Sequence, residues 1–139
     1  MEIIKDNSGL ELAQILSIKD YSLVNGFSFF SVPEESLQVG SILFKKGSAA
    51  EPHIHRSKEV GTAYPIVELI LILSGCAEID IYDESKKLVS TVAVATGTIV
   101  LLKRGGHGFR FPQCDTRLLD VRCGPYTDKE HDKEMIEIL

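Results

Sequence analysis

The 139-residue sequence contains no apolar run that approaches the roughly 20 residues of a membrane span. Its first residues, MEIIKDNSGLELAQ, carry acids where a signal peptide needs a basic segment followed by an apolar one. Basic charge is not in excess either: 15 Lys and Arg stand against 20 Asp and Glu, for a net charge of -5. The basic residues are dispersed rather than gathered into a stripe, so the footprint of a phosphate-backbone binder is missing. These absences argue against membrane and nucleic-acid partners and lead to the expectation of a cytoplasmic protein. Cysteine is scarce and odd in number, at Cys76, Cys114 and Cys123, with no CxxC spacing of the kind that zinc and redox motifs use. All three are expected to be reduced, Cys76 and Cys123 as small hydrophobes in apolar segments. No Pro/Gly/Ser-rich tract or like-charge block divides the chain, and its length suffices for one core, so a single domain over 1–139 is expected.

What is present is β texture. From Tyr21 to Cys123, short runs rich in Val, Ile, Leu and Phe alternate with turn residues about every eight to twelve positions. Eight strands are predicted: Val24–Ser31, Gln38–Lys45, Ile66–Leu73, Ala77–Tyr82, Leu88–Val94, Thr98–Lys103, Gly108–Phe111 and Thr116–Cys123. That number suits an all-β jelly-roll barrel over about 22–124. Ser8-Gly-Leu-Glu11 has the form of a capping box before Leu12, Ile15 and Leu16, which predicts a short helix over 9–17. Met135, Ile136 and Leu139 are spaced helically behind a charged start, which predicts a terminal helix over about 128–138 that packs on the barrel or on a second subunit.

Three places carry chemistry. Pro65 to Leu73 is apolar on both faces of a strand except for Glu68, so both faces are expected to be buried and the carboxylate needs a cation, a metal or strong donors beside it. His53-Ile54-His55 puts two imidazoles on one side of an extended chain, where they can converge on one point. Standing alone, the pair reads more readily as two solvated histidines in a polar loop. His107 shares a face with Phe109 and Phe111, so it points inward, either as a ligand or as a core histidine bonded to backbone carbonyls.

Gly47-Ser-Ala-Ala-Glu-Pro-His53-Ile-His55 resembles the start of the first cupin motif, a glycine, five residues and then His-x-His. Glu68, six residues and Gly75 resemble its continuation, and Gly97 through Lys103, Arg104, Gly105, Gly106 and His107 resemble the second motif. The likeness spans about Gly40 to Tyr126. It departs from the family in three ways: twelve residues separate His55 from Glu68, more than the motif has; Lys103 replaces a proline; and His107 comes one residue early. Glu59, three residues removed from His55, fits the motif's usual gap but lacks the following glycine and sits among Arg56, Lys58 and Gly61. With Gly61-Thr62, Tyr82-Asp83 and Gly124-Pro125-Tyr126 added, the string is similar to small single-domain cupins of unassigned activity.

The resemblance implies a double-stranded β-helix barrel, one metal ion at its mouth and frequent homodimerisation. The expected ligands are His53, His55, Glu68 and His107, a set that suits divalent Fe, Mn, Ni, Co or Zn. Such a centre could polarise the carbonyl of a small carbohydrate-like or carboxylate substrate for isomerisation or epimerisation. Other readings are an iron-dependent dioxygenase, a binding or sensor cupin without turnover, and a metal-free cupin using His107 or His55 as acid/base on a nucleotide-linked sugar. Candidate catalytic residues are Tyr82, Lys103, Arg104 and Asp120, with Tyr64 and Arg122 as further contacts; Lys103 and Arg104 read equally as a solvated basic turn. Asp120 and Arg122 share one face of the last predicted strand, and the sequence does not say which face lines the barrel.

Overall fold

The structure is a computed structural model, and it describes residues 2–15, 26–56, 58–60, 62–64, 67–126 and 128–137. In chain order the elements are β1 (Glu2–Lys5), β2 (Glu11–Ile15), β3 (Gly26–Phe29), β4 (Leu37–Phe44), β5 (Ala49–His55), β6 (Lys58–Val60), β7 (Thr62–Tyr64) and β8 (Glu68–Ser74). There follow β9 (Cys76–Tyr82), β10 (Leu88–Ala95), β11 (Ile99–Leu102), β12 (Gly106–Arg110), β13 (Thr116–Cys123), the single helical turn α1 (Lys129–Asp132) and β14 (Lys133–Met135). Two five-stranded antiparallel sheets, ordered β11-β8-β13-β4-β3 and β10-β9-β12-β5-β14, form the barrel, while β1-β2 and β6-β7 are separate ribbons. From β4 onward the chain passes repeatedly from one sheet to the other, which is the winding of an all-β jelly roll.

Alternation decides what lies inside. In β8, Glu68, Ile70 and Ile72 are buried, and in β13 the buried row is Thr116, Leu118, Asp120 and Arg122. Ile42, Ile70, Ile72, Ala77, Ile79, Phe109, Phe111 and Leu118 form the core, and the rings of Phe44 and Phe111 stack at 4.2 Å between centroids. Burying each large apolar chain stabilises the barrel by about 1.5–3 kcal/mol. The outward row of β8 departs from expectation. Leu69, Leu71 and Leu73 are only half-buried, and their neighbours on β11, Ile99 and Leu101, are 63% and 50% exposed.

The predicted N-terminal helix is corrected, and the short C-terminal helix is present but ends earlier than predicted. Residues 2–15 form a ribbon instead of a helix over 9–17, because the Asp6 carboxylate accepts from Ser8 N, Ser8 Oγ and Leu10 N, and Gly9 takes φ +89°, so the chain turns where a helix would start. Residues 16 and 17 lie outside the described residues. The terminal segment keeps one turn, capped by the Asp128 carboxylate accepting from His131 N, and then becomes β14. Pairing Lys133–Met135 with His53–His55 satisfies the open edge of β5, and Ile136 is buried beyond it, a combination unavailable to a free helix. β5 was not among the predicted strands, since Ala-Ala-Glu-Pro carries little strand signal. The other predicted strands shift by a few residues at their ends, and Thr116–Cys123 matches β13.

Candidate metal centre

Strand register assembles the centre. His107 on β12 sits opposite His53 on β5, and His55, two residues along, points to the same side. The register is held by close backbone approach: a Cβ at Gly106 would lie 2.4 Å from Ile136 Cδ1, and one at Gly108 would lie 2.9 Å from Pro52 Cγ. Ring nitrogens of His53, His55 and His107 all fall within 4.8 Å of one another, and the ring centroids are 4.6–5.5 Å apart. Glu68 comes from the facing sheet. Its Oε2 lies 3.0 Å from His107 Nε2 and 3.3 Å from His55 Nε2, with both partners almost fully buried. Neither Glu68 Oε2 nor the His55 ring nitrogens make an aligned hydrogen bond. Three imidazoles and a buried carboxylate oxygen at this spacing are the donor set that a borderline divalent cation satisfies.

The imidazoles are set up differently. His53 Nδ1 contacts the Glu51 carbonyl at 2.8 Å, and donation there leaves Nε2 as the lone-pair nitrogen on the inner side. Burial, with positive charge on His107 and Lys133 next, pulls its pKa down to about 3. For His55 burial also pulls downward, but Asp132 and Glu68 more than offset it and leave the pKa raised. Burial likewise pushes Glu68 up, and His107 and His55 outweigh it, holding the carboxyl well below its ordinary value.

A second layer surrounds these four. Asp132, 1% exposed, places Oδ2 3.3 Å from His55 Nδ1 and 3.1 Å from Arg122 Nη1. Arg122 is buried as well, with its guanidinium over the rings of Tyr126 and Phe29 at 5.3 and 5.9 Å. Lys133, half-buried on β14, brings Nζ to 3.5 Å from His53 Nε2. Asp120 is 2% exposed beside Glu68, and burial followed by the negative charge of Glu68 pushes its pKa up to about 8.

The remaining candidates are distributed unevenly. Asp120 and Arg122 face the interior, which answers the question of the last strand's orientation. Tyr82 is buried at the end of β9, and with Arg104 it lines a shallow groove formed by the β9–β10 turn. Lys103 is exposed, and Arg104 lies 4.0 Å from Glu84 with both side chains about three-quarters exposed, so this pair is a solvated basic turn. The side chains of Glu59 and Tyr64 lie outside the described residues. Asp132 and Lys133 were missed, because a strand pairing brings them in that their helical spacing concealed; the charged start of the terminal segment was the available hint.

No family model and no curated protein sequence matches the chain. Solved structures do match. An uncharacterised conserved protein with a double-stranded β-helix domain from Klebsiella pneumoniae aligns with a TM-score of 0.65 at 15% identity, over 91% of this chain and 100% of the other. The cupin domain of Schizosaccharomyces pombe Cnp3 aligns at 0.60 and 14%, over 82% and 76%. CapF, solved with an inhibitor, aligns at 0.65 and 16%, over 96% of this chain and 37% of CapF. The chain spans 65% of the length of a Bacillus halodurans match and 21% of the coconut allergen cocosin and of procruciferin, an 11S globulin from Brassica napus. At these identities the likeness is one of fold, and that fold is the cupin double-stranded β-helix. Among the described residues no helix is long and apolar enough to cross a membrane.

Proposed function

We propose that the chain is a metal-binding cupin whose centre takes a small anionic oxygen ligand and moves a proton on it. The observation that carries this reading is the convergence of three imidazoles within 4.8 Å beside a buried Glu68 oxygen that has no aligned donor. His53, His55, His107 and Glu68 would hold the ion. When bound, it would supply Lewis acidity toward a carbonyl or carboxylate oxygen, drawn from Fe, Mn, Ni, Co or Zn according to availability.

The protein's own charges favour an anion. Glu68 and Asp132 are opposed by Arg122 and Lys133, and the histidines must be neutral to act as ligands, so a divalent ion leaves the centre net positive whether or not Asp120 is ionised. Lys133, at the inner face of β14, is placed to hold the anionic group, and Asp120, whose Oδ1 has no partner, is placed to carry a proton. Hydroxy-carbonyl isomerisation or epimerisation is the reaction class that such an arrangement supports. The depth of the histidines, with His53 7% and His107 4% exposed, supports a second reading in which the ion stabilises the barrel without turnover.

Metal analysis of the purified protein tests the first claim: about one equivalent of a divalent metal is expected, lost in His53→Ala and Glu68→Ala. No metal after incubation with Fe, Mn, Ni, Co and Zn salts would sink both readings. A metal-stripped sample that melts cooperatively at the same temperature removes the structural reading alone. We also propose a homodimer, cytoplasmic in location, with a second copy covering the half-buried outer row of Leu69 and Leu71 and the exposed Ile99 and Leu101. Light scattering of the wild type and of Leu101→Glu checks it, the variant being expected at half the mass.

A further inference from the structure

Cys76 and Cys114 lie at the end of the barrel away from the metal centre, one just after the turn that closes β8 and the other in the connection between β12 and β13. Their sulfurs are 2.8 Å apart although both are free thiols. The approach is built into the backbone. Gly75 takes φ +89°, and a Cβ there would lie 2.5 Å from the Asp115 carbonyl oxygen and 2.6 Å from Thr116 Oγ1, so only glycine lets the turn press against residues 115–116. Thr116, fully buried, then clamps Cys76 from both sides: its Oγ1 accepts from Cys76 N at 3.1 Å and donates to Cys76 O at 2.7 Å. The Cys114 carbonyl lies 3.2 Å from the same hydroxyl. Closing the sulfurs to a bond of about 2.05 Å asks for less than about 1 Å of movement.

The pair is also reachable and asymmetric. Both residues are partly exposed, and a cleft of about 70 Å³, lined in part by Cys76, Glu78, Val94, Pro112 and Gln113, opens beside Cys76. Either thiol can donate in the 2.8 Å contact, which holds the Cys114 thiol below its ordinary pKa and raises that of Cys76. Cys123 is exposed elsewhere, on β13, and has no part in the arrangement.

We infer that Cys76 and Cys114 are a reversible dithiol site that exchanges with low-molecular-weight disulfides to form an intramolecular bridge. The Cys114 thiolate attacks one sulfur of the reagent, breaking its S–S bond and releasing one thiolate. Cys76, deprotonated, then attacks Cys114 Sγ, breaking the mixed disulfide and releasing the second thiolate. The two cysteines lose two electrons, the reagent gains two, and the two thiol protons end on the released thiols. The bridge ties the β8–β9 turn to the β12–β13 connection.

The test uses the full chain with oxidised glutathione, followed by intact mass, thiol titration after denaturation and a non-reduced peptide map. The expected result is a fall from three free thiols to one in an unbridged-to-bridged conversion that loses two hydrogens, places the link between Cys76 and Cys114, and proceeds equally in Cys123→Ser. In Cys76→Ser the glutathionyl adduct should accumulate on Cys114, and in Cys114→Ser modification of Cys76 should be several-fold slower. Persistence of the Cys76 and Cys114 thiols while Cys123 is modified, or a link that involves Cys123 or joins two chains, would overturn the inference.

Discussion

The two ends of the barrel interior are made from the same strands and differ completely in chemistry. Read along the inward rows, β8 runs from Glu68 to Ile70 and Ile72, β12 from His107 to Phe109, and β13 from Arg122 and Asp120 back to Leu118. At one end the interior is imidazole, carboxylate and guanidinium; at the other it is closely packed isoleucine, leucine and phenylalanine. Burying the polar end costs desolvation that the apolar end does not incur, and such groups persist inside a protein when they meet each other or a bound ion. The apolar end packs the core and the polar end gathers the ionisable groups, so substitutions at the two ends should separate into different measurements.

The largest effect on stability is expected at the apolar end. Phe111→Ala removes a fully buried ring stacked on Phe44 and should lower unfolding free energy by about 3–5 kcal/mol in denaturant melts. If metal affinity is retained in the fraction that folds, the two ends are separate; an equal loss of both would merge them. At the polar end, Glu68→Ala should abolish metal binding by titration calorimetry, an effect beyond the 10- to 100-fold typical of losing an outer partner. Asp132→Asn keeps the shape but removes the charge facing His55 Nδ1, and should weaken metal binding by roughly 10- to 100-fold with little change in the fold. An unchanged affinity would show that Asp132 does not position His55.

The smallest effect belongs to a partly exposed pair on the outer side. Asp80 accepts from Thr91 Oγ1 at 2.6 Å and from Arg110 Nε and Nη2 at 3.1 and 3.0 Å. Burial pushes its carboxyl up, but Thr91 and Arg110 outweigh burial and hold it below its ordinary value. A depressed carboxylate stabilises the fold above its unfolded pKa of about 4, and that stabilisation is lost as pH falls through the lower folded value. Asp80→Asn should therefore cost about 1 kcal/mol at neutral pH, the half-exposed Arg110 being screened, with the gap to wild type closing below about pH 4. A pH-independent gap would point to packing instead of charge.

Much of this division was legible in the sequence. Thr116 to Cys123 alternates cleanly, which marks a strand with the observed ends, and the lone Glu68 in an apolar run marks a buried carboxylate. His-x-His and the aromatic face of His107 are local signals, so all four expected ligands could be named and are found together. What was not legible depends on partners distant in sequence. Lys133 to Met135 has helical spacing, yet the open edge of β5 recruits it as a strand and carries Asp132 and Lys133 to the centre. The ribbon at Glu2 to Ile15 turns on one Asp6 side chain that outcompetes a plausible helix cap. Cys76 and Cys114 show no motif because their contact crosses two separate turns, and Cys123, expected in an apolar setting, is exposed.

The most direct measurement is an anomalous-scattering map from crystals of the protein soaked in a divalent transition metal. A single strong peak bounded by His53, His55, His107 and Glu68 is expected, absent in crystals of Glu68→Ala. A peak elsewhere, or none at saturating metal, would contradict a metal centre at the polar end of the barrel.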